Sequence, residues 1–174
     1  VGVRDCAALL LGRVAGLASR RLRRGGGTAL PGLLAASVSP NLIEALPDQL
    51  GHGVVAVTGT NGKTTTTHLL AAITRGAGLR PLTNRSGANL ERGLVSAYLA
   101  EADLRGRLAE ASRRLGVFEI DEAALPALWP RLRPRAVVIL NLFRDQLDRY
   151  GEVHSVAEAW SEMLRGADSE TVAV

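Results

Sequence analysis

Cysteine, lysine and aromatic residues are scarce in this chain of 174 residues. The one cysteine, Cys6, excludes an intrachain disulfide and a multi-cysteine metal site within these residues. Two residues each of Phe, Trp and Tyr leave little for stacking on bases, so we expect no nucleic-acid partner. No apolar run is long enough to span a bilayer and no cleavable signal peptide is evident, so we expect a cytoplasmic protein.

Apolar residues are plentiful, at 47% of the chain, which is typical of a globular protein with a core and excludes a disordered one. Of the 21 basic residues, 20 are arginine, and Lys63 is the one lysine. Arginine and lysine differ in shape and hydration. The position that keeps a lysine is therefore a candidate for one that needs a compact ammonium on a flexible stem.

Residues 3–24 carry apolar side chains at helical spacing and end in a basic cluster. Two interpretations stay open. The helix packs on the domain with arginines near its C-terminal end, or it is a basic amphipathic helix that contacts the anionic inner face of the membrane. We divide the chain into an N-terminal helical segment, residues 1–50, and a domain over residues 51–174. The basic cluster consists of Arg20, Arg21, Arg23 and Arg24.

From residue 53 onward, apolar strands alternate with helices, which predicts an α/β fold with a mostly parallel, doubly wound sheet. Because the pattern stops on a strand, we expect the first part of a larger domain. The predicted strands are 53–59, 116–120, 135–140 and 171–174, with 79–83 as a further candidate. The predicted helices are 40–50, 63–78, 94–102, 121–133 and 155–167.

The stretch VVAVTGTNGKTTTTHLL, residues 54–70, nearly matches a Walker A loop, but Val57 stands where that pattern has its first glycine. A turn from a strand into a helix directs backbone N–H groups and the positive end of the helix at one point. We expect a phosphate-binding loop, shorter than the standard one. The predicted nucleotide-binding residues in it are Gly59, Thr60, Asn61, Gly62, Lys63, Thr64 and Thr65.

Lys63 follows the second glycine of this loop, and Thr64 comes next. In such loops the lysine reaches the β- and γ-phosphates and the following hydroxyl holds Mg²⁺. The alternative, a glycine-rich turn before an ordinary helix, explains the glycines. It does not explain a lone lysine beside a threonine directly after an apolar strand.

The acidic stretch FEIDEA follows the second clear strand. Ligands of parallel sheets bind beyond the carboxyl ends of the strands, so Glu119, Asp121 and Glu122 should lie on the same rim as the loop. A carboxylate there can join Thr64 on Mg²⁺. Asp121 is equally well interpreted as a helix N-cap.

Residues 141–152, NLFRDQLDRYGE, follow the next strand. Asn141 ends that strand on the same rim, so its amide is a candidate for nucleotide binding. Asp145, Gln146 and Arg149 supply further polar groups, and the arginine is suited to a phosphate or a carboxylate. A solvated loop is the alternative interpretation of these charges.

These motifs resemble the central ATPase domain of the Mur ligase family. The order TGTNGKTTT, an acidic strand end, and then N-x-x-x-D-x-L-D-x-x-G carries the resemblance. The stretches RGGGTALPG, TNRSGANLERG, FEIDEAALP and NLFRDQLDRYGE are similar to one branch, the MurT-type synthetase subunits of lipid II isoglutaminyl synthase. The resemblance extends from the N-terminal helix to about residue 152.

The resemblance implies ATP-dependent amidation of the D-glutamate α-carboxylate of lipid II, in peptidoglycan synthesis. ATP would phosphorylate the carboxylate, and ammonia from a GatD-type glutaminase partner would displace the phosphate. It also implies roles: Lys63 and Glu119 as catalytic residues, and Thr64 and Glu119 as ligands of Mg²⁺. Further candidates in the matching motifs are Asn89, Asp121, Asp145, Gln146 and Arg149.

Two differences from the amino-acid-adding Mur ligases favour the MurT-type branch. Amino-acid-adding Mur ligases have histidine where this chain has Gln146, and they use a second, modified lysine that this chain lacks. Both are expected of the MurT type. That type also carries a zinc ribbon and a C-terminal domain that these residues do not include, so we expect this chain alone to bind nucleotide weakly and not to amidate lipid II.

Two other functions remain open. One is an amino-acid-adding ligase similar to folylpolyglutamate synthase, in which an amino acid replaces ammonia. The other is a non-catalytic nucleotide-binding scaffold, which would tolerate the loss of Lys63.

Overall fold

A computed structural model describes residues 10–12, 14, 30–84, 88–103, 105–143 and 152–174. The strands in these ranges are β1 (Val54–Thr58), β2 (Arg80–Leu82), β3 (Arg114–Glu119), β4 (Ala136–Ile139) and β5 (Val172–Ala173). The helices are α1 (Leu30–Val38), α2 (Lys63–Gly76), α3 (Glu91–Glu101), α4 (Leu125–Leu132) and α5 (Glu152–Arg165). Leu10, Leu11, Gly12 and Val14 are also helical.

All strand pairs in the sheet are parallel, and the strand order is β2-β3-β1-β4-β5. This confirms the predicted parallel α/β fold, including the candidate strand near residue 80. The central strand β1 places Val57 beside Glu119 of β3 and Val138 of β4. The polar segments that follow β1, β3 and β4 therefore emerge next to one another at the carboxyl edge of the sheet.

The helices form a layer on each face of the sheet. The main hydrophobic cluster draws members from α1, α3, α4 and α5, together with Phe118 of β3 and Val137 of β4. Helix α2 contributes none of them and packs on β1, β2 and β3 from the other side, burying Ala71. Right-handed crossovers explain this arrangement. The chain crosses the sheet in one direction from β1 to β2 and in the opposite direction from β2 to β3, from β3 to β4 and from β4 to β5, so α2 lies on the other face from α3, α4 and α5.

The segment before β1 differs from the prediction in two ways. Helix α1 was not predicted, and it packs closely on α3, where Gly32 N donates to Ser96 Oγ at 2.9 Å. The predicted helix over 40–50 is instead two short 3₁₀ helices, Leu42–Ala45 and Pro47–Gln49. The second 3₁₀ helix begins at Pro47, which has no N–H and so cannot donate the backbone hydrogen bond that would continue the first helix into the second. The core is continuous from this segment into the sheet layer.

Three other helices differ at their starts, and one of them, α5, begins at Glu152, three residues before the predicted 155. Helix α3 begins three residues before the predicted 94, at Glu91. Helix α4 begins at Leu125, because residues 121–124 form a turn instead of helix. Pro126 lies in the first turn of α4, where a missing N–H costs no helical hydrogen bond.

None of the helices in the described ranges has the length and apolarity needed to cross a membrane.

Candidate functional site

The loop between β1 and α2 consists of residues 59–62. Val57 belongs to β1 and is fully buried, so the position that departs from the Walker A pattern is a strand residue. Gly59 and Gly62 have φ angles of 132° and 88°, which favour glycine. A Cβ on Gly59 would lie 2.7 Å from the carbonyl oxygen of Asn141, so this glycine also permits the close approach of the chain after β4.

Lys63 is the first residue of α2, and its side chain folds back over the loop. Its Nζ donates to the carbonyl oxygens of Gly59 and Thr60, the latter at 3.2 Å. It also forms an ion pair with Glu122 Oε2 at 3.0 Å. The lysine side chain is 12% exposed, so its ammonium is held by the loop rather than extended into solvent.

Thr64 and Glu119 meet beside this lysine. Thr64 Oγ1 donates to Glu119 Oε2 at 2.7 Å, and Glu119, the last residue of β3, is buried. A hydroxyl and a carboxylate at hydrogen-bonding distance are hard oxygen donors, and Mg²⁺ takes one or two such protein ligands along with phosphate oxygens and water. The two residues predicted as metal ligands therefore come together and suit Mg²⁺ chemically.

Asn141 holds the loop from the side of β4. Its Oδ1 accepts from Asn61 N at 2.9 Å, its Nδ2 donates to Asn61 O at 3.0 Å, and its own carbonyl accepts from Thr60 N at 3.0 Å. Thr60 Oγ1 in turn accepts from Phe143 N at 2.9 Å. Asn141 thus lies at the predicted site, where its amide pairs with the loop backbone.

The other predicted residues are placed as follows. Thr65 is exposed on the first turn of α2. The interpretation of Asp121 as a helix N-cap is wrong, because the N-cap of α4 is Ala124; Asp121 Oδ1 instead accepts from Ala123 N at 3.1 Å within the turn before the helix. Asn89 accepts a hydrogen bond from Asp121 N through its backbone oxygen, at 3.0 Å. Asp145, Gln146 and Arg149 lie outside the described residues.

Besides the pairing of Asn141 with Asn61, two contacts of the site were not predicted. Glu122 was placed on the rim by its position in the sequence, but not opposite Lys63. Asn84, in the segment after β2, was missed, although it is buried and hydrogen-bonded to the backbone of Glu119. The rule that polar residues just beyond the carboxyl ends of parallel strands line the site would have found it.

Residues 57–174 match the family described as the Mur ligase middle domain. The chain belongs to the Mur ligase family. This confirms the resemblance on which the site was predicted.

Curated relatives in the family include MurT subunits from two bacteria. The chain is 35% identical over 164 residues to the MurT subunit of lipid II isoglutaminyl synthase from Streptococcus pneumoniae, and 33% identical over 178 residues to that of Staphylococcus aureus. These alignments cover 93% and 98% of the chain. They cover 35% and 39% of the relatives, so the chain spans little more than a third of their length.

A second group of relatives matches a smaller part of the chain. The UDP-N-acetylmuramoylalanine–D-glutamate ligase of Chelativorans is 35% identical over 121 residues, which is 70% of the chain and 23% of that ligase. Among solved structures, MurF ligase from Thermotoga maritima in complex with ADP superposes with a TM-score of 0.59 at 22% identity, over 78% of the chain and 31% of that protein. At that identity the structural likeness shows the fold.

Proposed function

We propose that this chain carries the ATP-binding part of a lipid II isoglutaminyl synthase, the enzyme that amidates the D-glutamate of lipid II during peptidoglycan synthesis. The observation that carries the proposal is the Thr64–Glu119 pair beside Lys63 at the carboxyl edge of the sheet. One lysine ammonium and two oxygen ligands, next to a glycine turn at a helix N-terminus, are the groups that an ATP-dependent phosphoryl transfer needs.

The chemistry is activation of a carboxylate. An oxygen of the D-glutamate α-carboxylate attacks the γ-phosphorus of ATP, the bond to the β,γ-bridging oxygen breaks, and ADP leaves. Ammonia then adds to the carbonyl carbon of the acyl phosphate, loses a proton, and expels inorganic phosphate. The amide of D-isoglutamine remains. Ammonia is supplied by glutamine hydrolysis on a GatD-type partner subunit.

The residues of this chain act mainly by position and charge. Lys63 would neutralise the β- and γ-phosphates, and Gly59 and Gly62 would let the loop backbone approach them. Thr64 and Glu119 would hold Mg²⁺, which supplies charge neutralisation when bound. Asn141 would keep the loop in place through its two bonds to Asn61.

The assignment to the MurT branch of the family rests on how much of the chain each group of relatives matches. The MurT relatives align with 93% to 98% of the chain, including the segment before β1, whereas the D-glutamate ligases align with about 70%. Gln146, where amino-acid-adding ligases carry histidine, agrees with the MurT type. An amino-acid-adding ligase is the competing function.

The test is an acceptor assay with the complete protein that contains this sequence, combined with its glutaminase partner, lipid II and MgATP. We expect ammonia or glutamine to support ADP formation and a mass decrease of lipid II by about one dalton, since NH₂ replaces OH. Glutamate or another amino acid in place of ammonia should give no product. Ligation of an amino acid would refute the proposal, and so would nucleotide-independent function.

The 174-residue chain should bind ATP weakly and should not amidate lipid II when supplied with ammonia. Its relatives are nearly three times as long, and the groups that hold the acceptor and receive ammonia are not among the residues assigned above. Amidation by this chain would contradict the expectation.

We also propose that the N-terminal segment contacts the cytoplasmic face of the membrane, where lipid II lies. This part of the proposal is independent of the enzymatic part. Arg20, Arg21, Arg23 and Arg24 lie outside the described residues. Flotation of the protein with vesicles containing anionic lipid, with and without residues 1–27, tests this contact. Equal flotation of the two forms would remove it and leave the enzymatic proposal unaffected.

A further inference from the structure

Asn84 lies two residues beyond the end of β2 and is 4% exposed. Its carboxamide makes three hydrogen bonds. Oδ1 accepts from Glu119 N at 2.9 Å, and Nδ2 donates to Glu119 O at 2.7 Å and to Ala88 O at 2.8 Å. A buried side chain that uses both amide hydrogens in this way is held in one orientation.

These bonds continue the sheet where β2 has ended. The backbone pairing of β2 with β3 stops at Leu82 and Gly116, three residues before Glu119. Because N–H and C=O of one strand residue point the same way, those of Glu119 face the side on which β2 is no longer present. The Asn84 carboxamide takes the place of the missing peptide group, while β1 continues on the other side, with Ile120 N donating to Val57 O at 2.9 Å.

We propose that Asn84 is a positioning residue that sets the location of the Glu119 carboxylate. The reason is geometric. The Cα of Glu119 is fixed between the Asn84 amide on one side and β1 on the other, and its carboxylate meets Thr64 at 2.7 Å. This inference rests on the proposed function, in which Thr64 and Glu119 hold Mg²⁺.

The third bond of Asn84 extends the effect to a second part of the rim. By binding Ala88 O, Asn84 ties the segment before α3 to the end of β3. The next residue, Asn89, accepts from Asp121 N, so the turn after β3 is connected to the same segment. One amide therefore holds together three pieces of backbone that meet at the edge of the site.

The test measures how much Mg²⁺ strengthens nucleotide binding. ATP carrying a fluorescent group on its ribose is titrated into the chain in Mg²⁺ and in EDTA, and the ratio of the two affinities is compared between the unaltered chain and Asn84→Ala. Partners that orient a metal ligand are worth about 10–100-fold in metal affinity or activity. We expect the ratio to fall by about tenfold or more, with the affinity in EDTA unchanged within about twofold, because Lys63 and the loop remain.

Gln49→Ala is the matched control. The Gln49 carboxamide also makes three hydrogen bonds, to Tyr98 OH, Gly106 O and Leu108 N, at the opposite end of β3 from Glu119. It should lower the melting temperature and leave the Mg²⁺ ratio unchanged. An unchanged ratio in folded Asn84→Ala would overturn the proposal, and so would an equal fall in both variants, which would reflect stability alone.

Nuclear magnetic resonance of the unaltered chain covers the case in which Asn84→Ala does not fold. The side-chain amide protons of Asn84 should exchange slowly with solvent, and their signals should shift when MgATP replaces ATP in EDTA. The Gln49 side-chain signals should not shift. Asn84 signals that do not respond would refute the positioning role.

Failure of the proposed function is distinguishable from failure of this inference. If the unaltered chain binds ATP equally well in Mg²⁺ and in EDTA, Thr64 and Glu119 do not hold Mg²⁺ as the proposed function requires, and the positioning role is wrong with that assignment. If that effect is present and survives in Asn84→Ala, only the positioning role is wrong.

Discussion

Lys63 Nζ lies 3.0 Å from Glu122 Oε2, so the lysine that begins α2 is paired with a carboxylate from the turn after β3. Glu122 is itself held through its backbone, since Trp160 Nε1 of α5 donates to its carbonyl oxygen at 2.9 Å. A phosphate that binds to this lysine must share it with Glu122. In the proposed function, the pair therefore links nucleotide binding to the position of a residue whose backbone is bonded to α5.

Replacing Glu122 with Gln should tighten nucleotide binding. The change removes a negative charge that competes with phosphate for Lys63, while the side chain keeps its size. Both side chains are partly exposed, at 12% and 25%, so the effect should be that of a screened ion pair, about 0.2–1 kcal/mol or up to about fivefold in affinity. It should shrink as salt is raised.

Titration calorimetry at two salt concentrations measures this change. Glu110→Gln is the control, because Glu110 is also an ion-paired carboxylate, bonded to Arg80 at 2.7 Å at the far end of β3. Weaker nucleotide binding by Glu122→Gln would show that the carboxylate orients the lysine rather than competing for it.

Replacing Lys63 with Ala should lower ATP-dependent turnover of the assembled enzyme by a factor of about 10²–10³, because this is the cost of losing one preorganised donor to a developing charge. Lys63→Arg should not restore activity, since a planar guanidinium cannot follow the path of an ammonium over the loop. The rate of ADP formation is the measurement.

Arg75→Ala is the control for Lys63, because Arg75 is exposed in the last turn of the same helix. It should be as active as the unaltered enzyme. A scaffold that only recruits a partner would keep its function in Lys63→Ala, and that outcome would exclude the synthetase.

Replacing Glu119 with Gln should raise the Mg²⁺ concentration needed for half-maximal activity by at least tenfold. The amide keeps the size of the side chain and can still accept from Thr64, but it lacks the charge that favours a divalent cation. A titration of activity with Mg²⁺ at fixed ATP measures the shift. Glu158→Gln, on the exposed side of α5, should leave the titration unchanged. If the two variants behave alike, Glu119 is not a metal ligand.

Replacing Gly59 with Ala should destabilise the chain, whereas Gly76→Ala should not. Gly59 has φ of 132°, and a Cβ there would lie 2.7 Å from Asn141 O, so the strain should cost about 1–3 kcal/mol. A Cβ on Gly76 meets nothing within 4 Å, and alanine in a helix is favoured over glycine by up to about 1 kcal/mol. Urea unfolding of both variants measures the difference, and equal stabilities would contradict the loop geometry.

The sequence predicted most of the fold because the decisive patterns are local. The apolar run over 54–58 followed by glycines and Lys63 specifies a strand, a turn and a helix start within a few residues. Helix α1 was missed because its sequence, LPGLLAASV, has a proline and a glycine in second and third place and follows a glycine-rich stretch. Its close packing on α3, with Gly32 at the contact, is a tertiary effect that no local pattern displays.

The candidate site divides in the same way. Lys63 and Thr64 are neighbours in the chain, so their placement together could be predicted. The rule for parallel sheets placed Glu119 on the same rim, so its position could be predicted as well. Three other contacts could not: Lys63 with Glu122, Asn141 with Asn61, and Asn84 with Glu119. Each joins residues at least 35 positions apart.

By itself, then, the sequence determined that a short glycine loop after Val57 presents one lysine and one threonine at the start of a helix. Residue type and spacing are enough for that, because a strand-to-helix turn is built from consecutive residues. Only the tertiary structure decided which carboxylate faces the lysine and which amide holds the metal-ligand candidate. Those choices depend on strand order and on where β2 ends relative to β3, and both are properties of the assembled sheet.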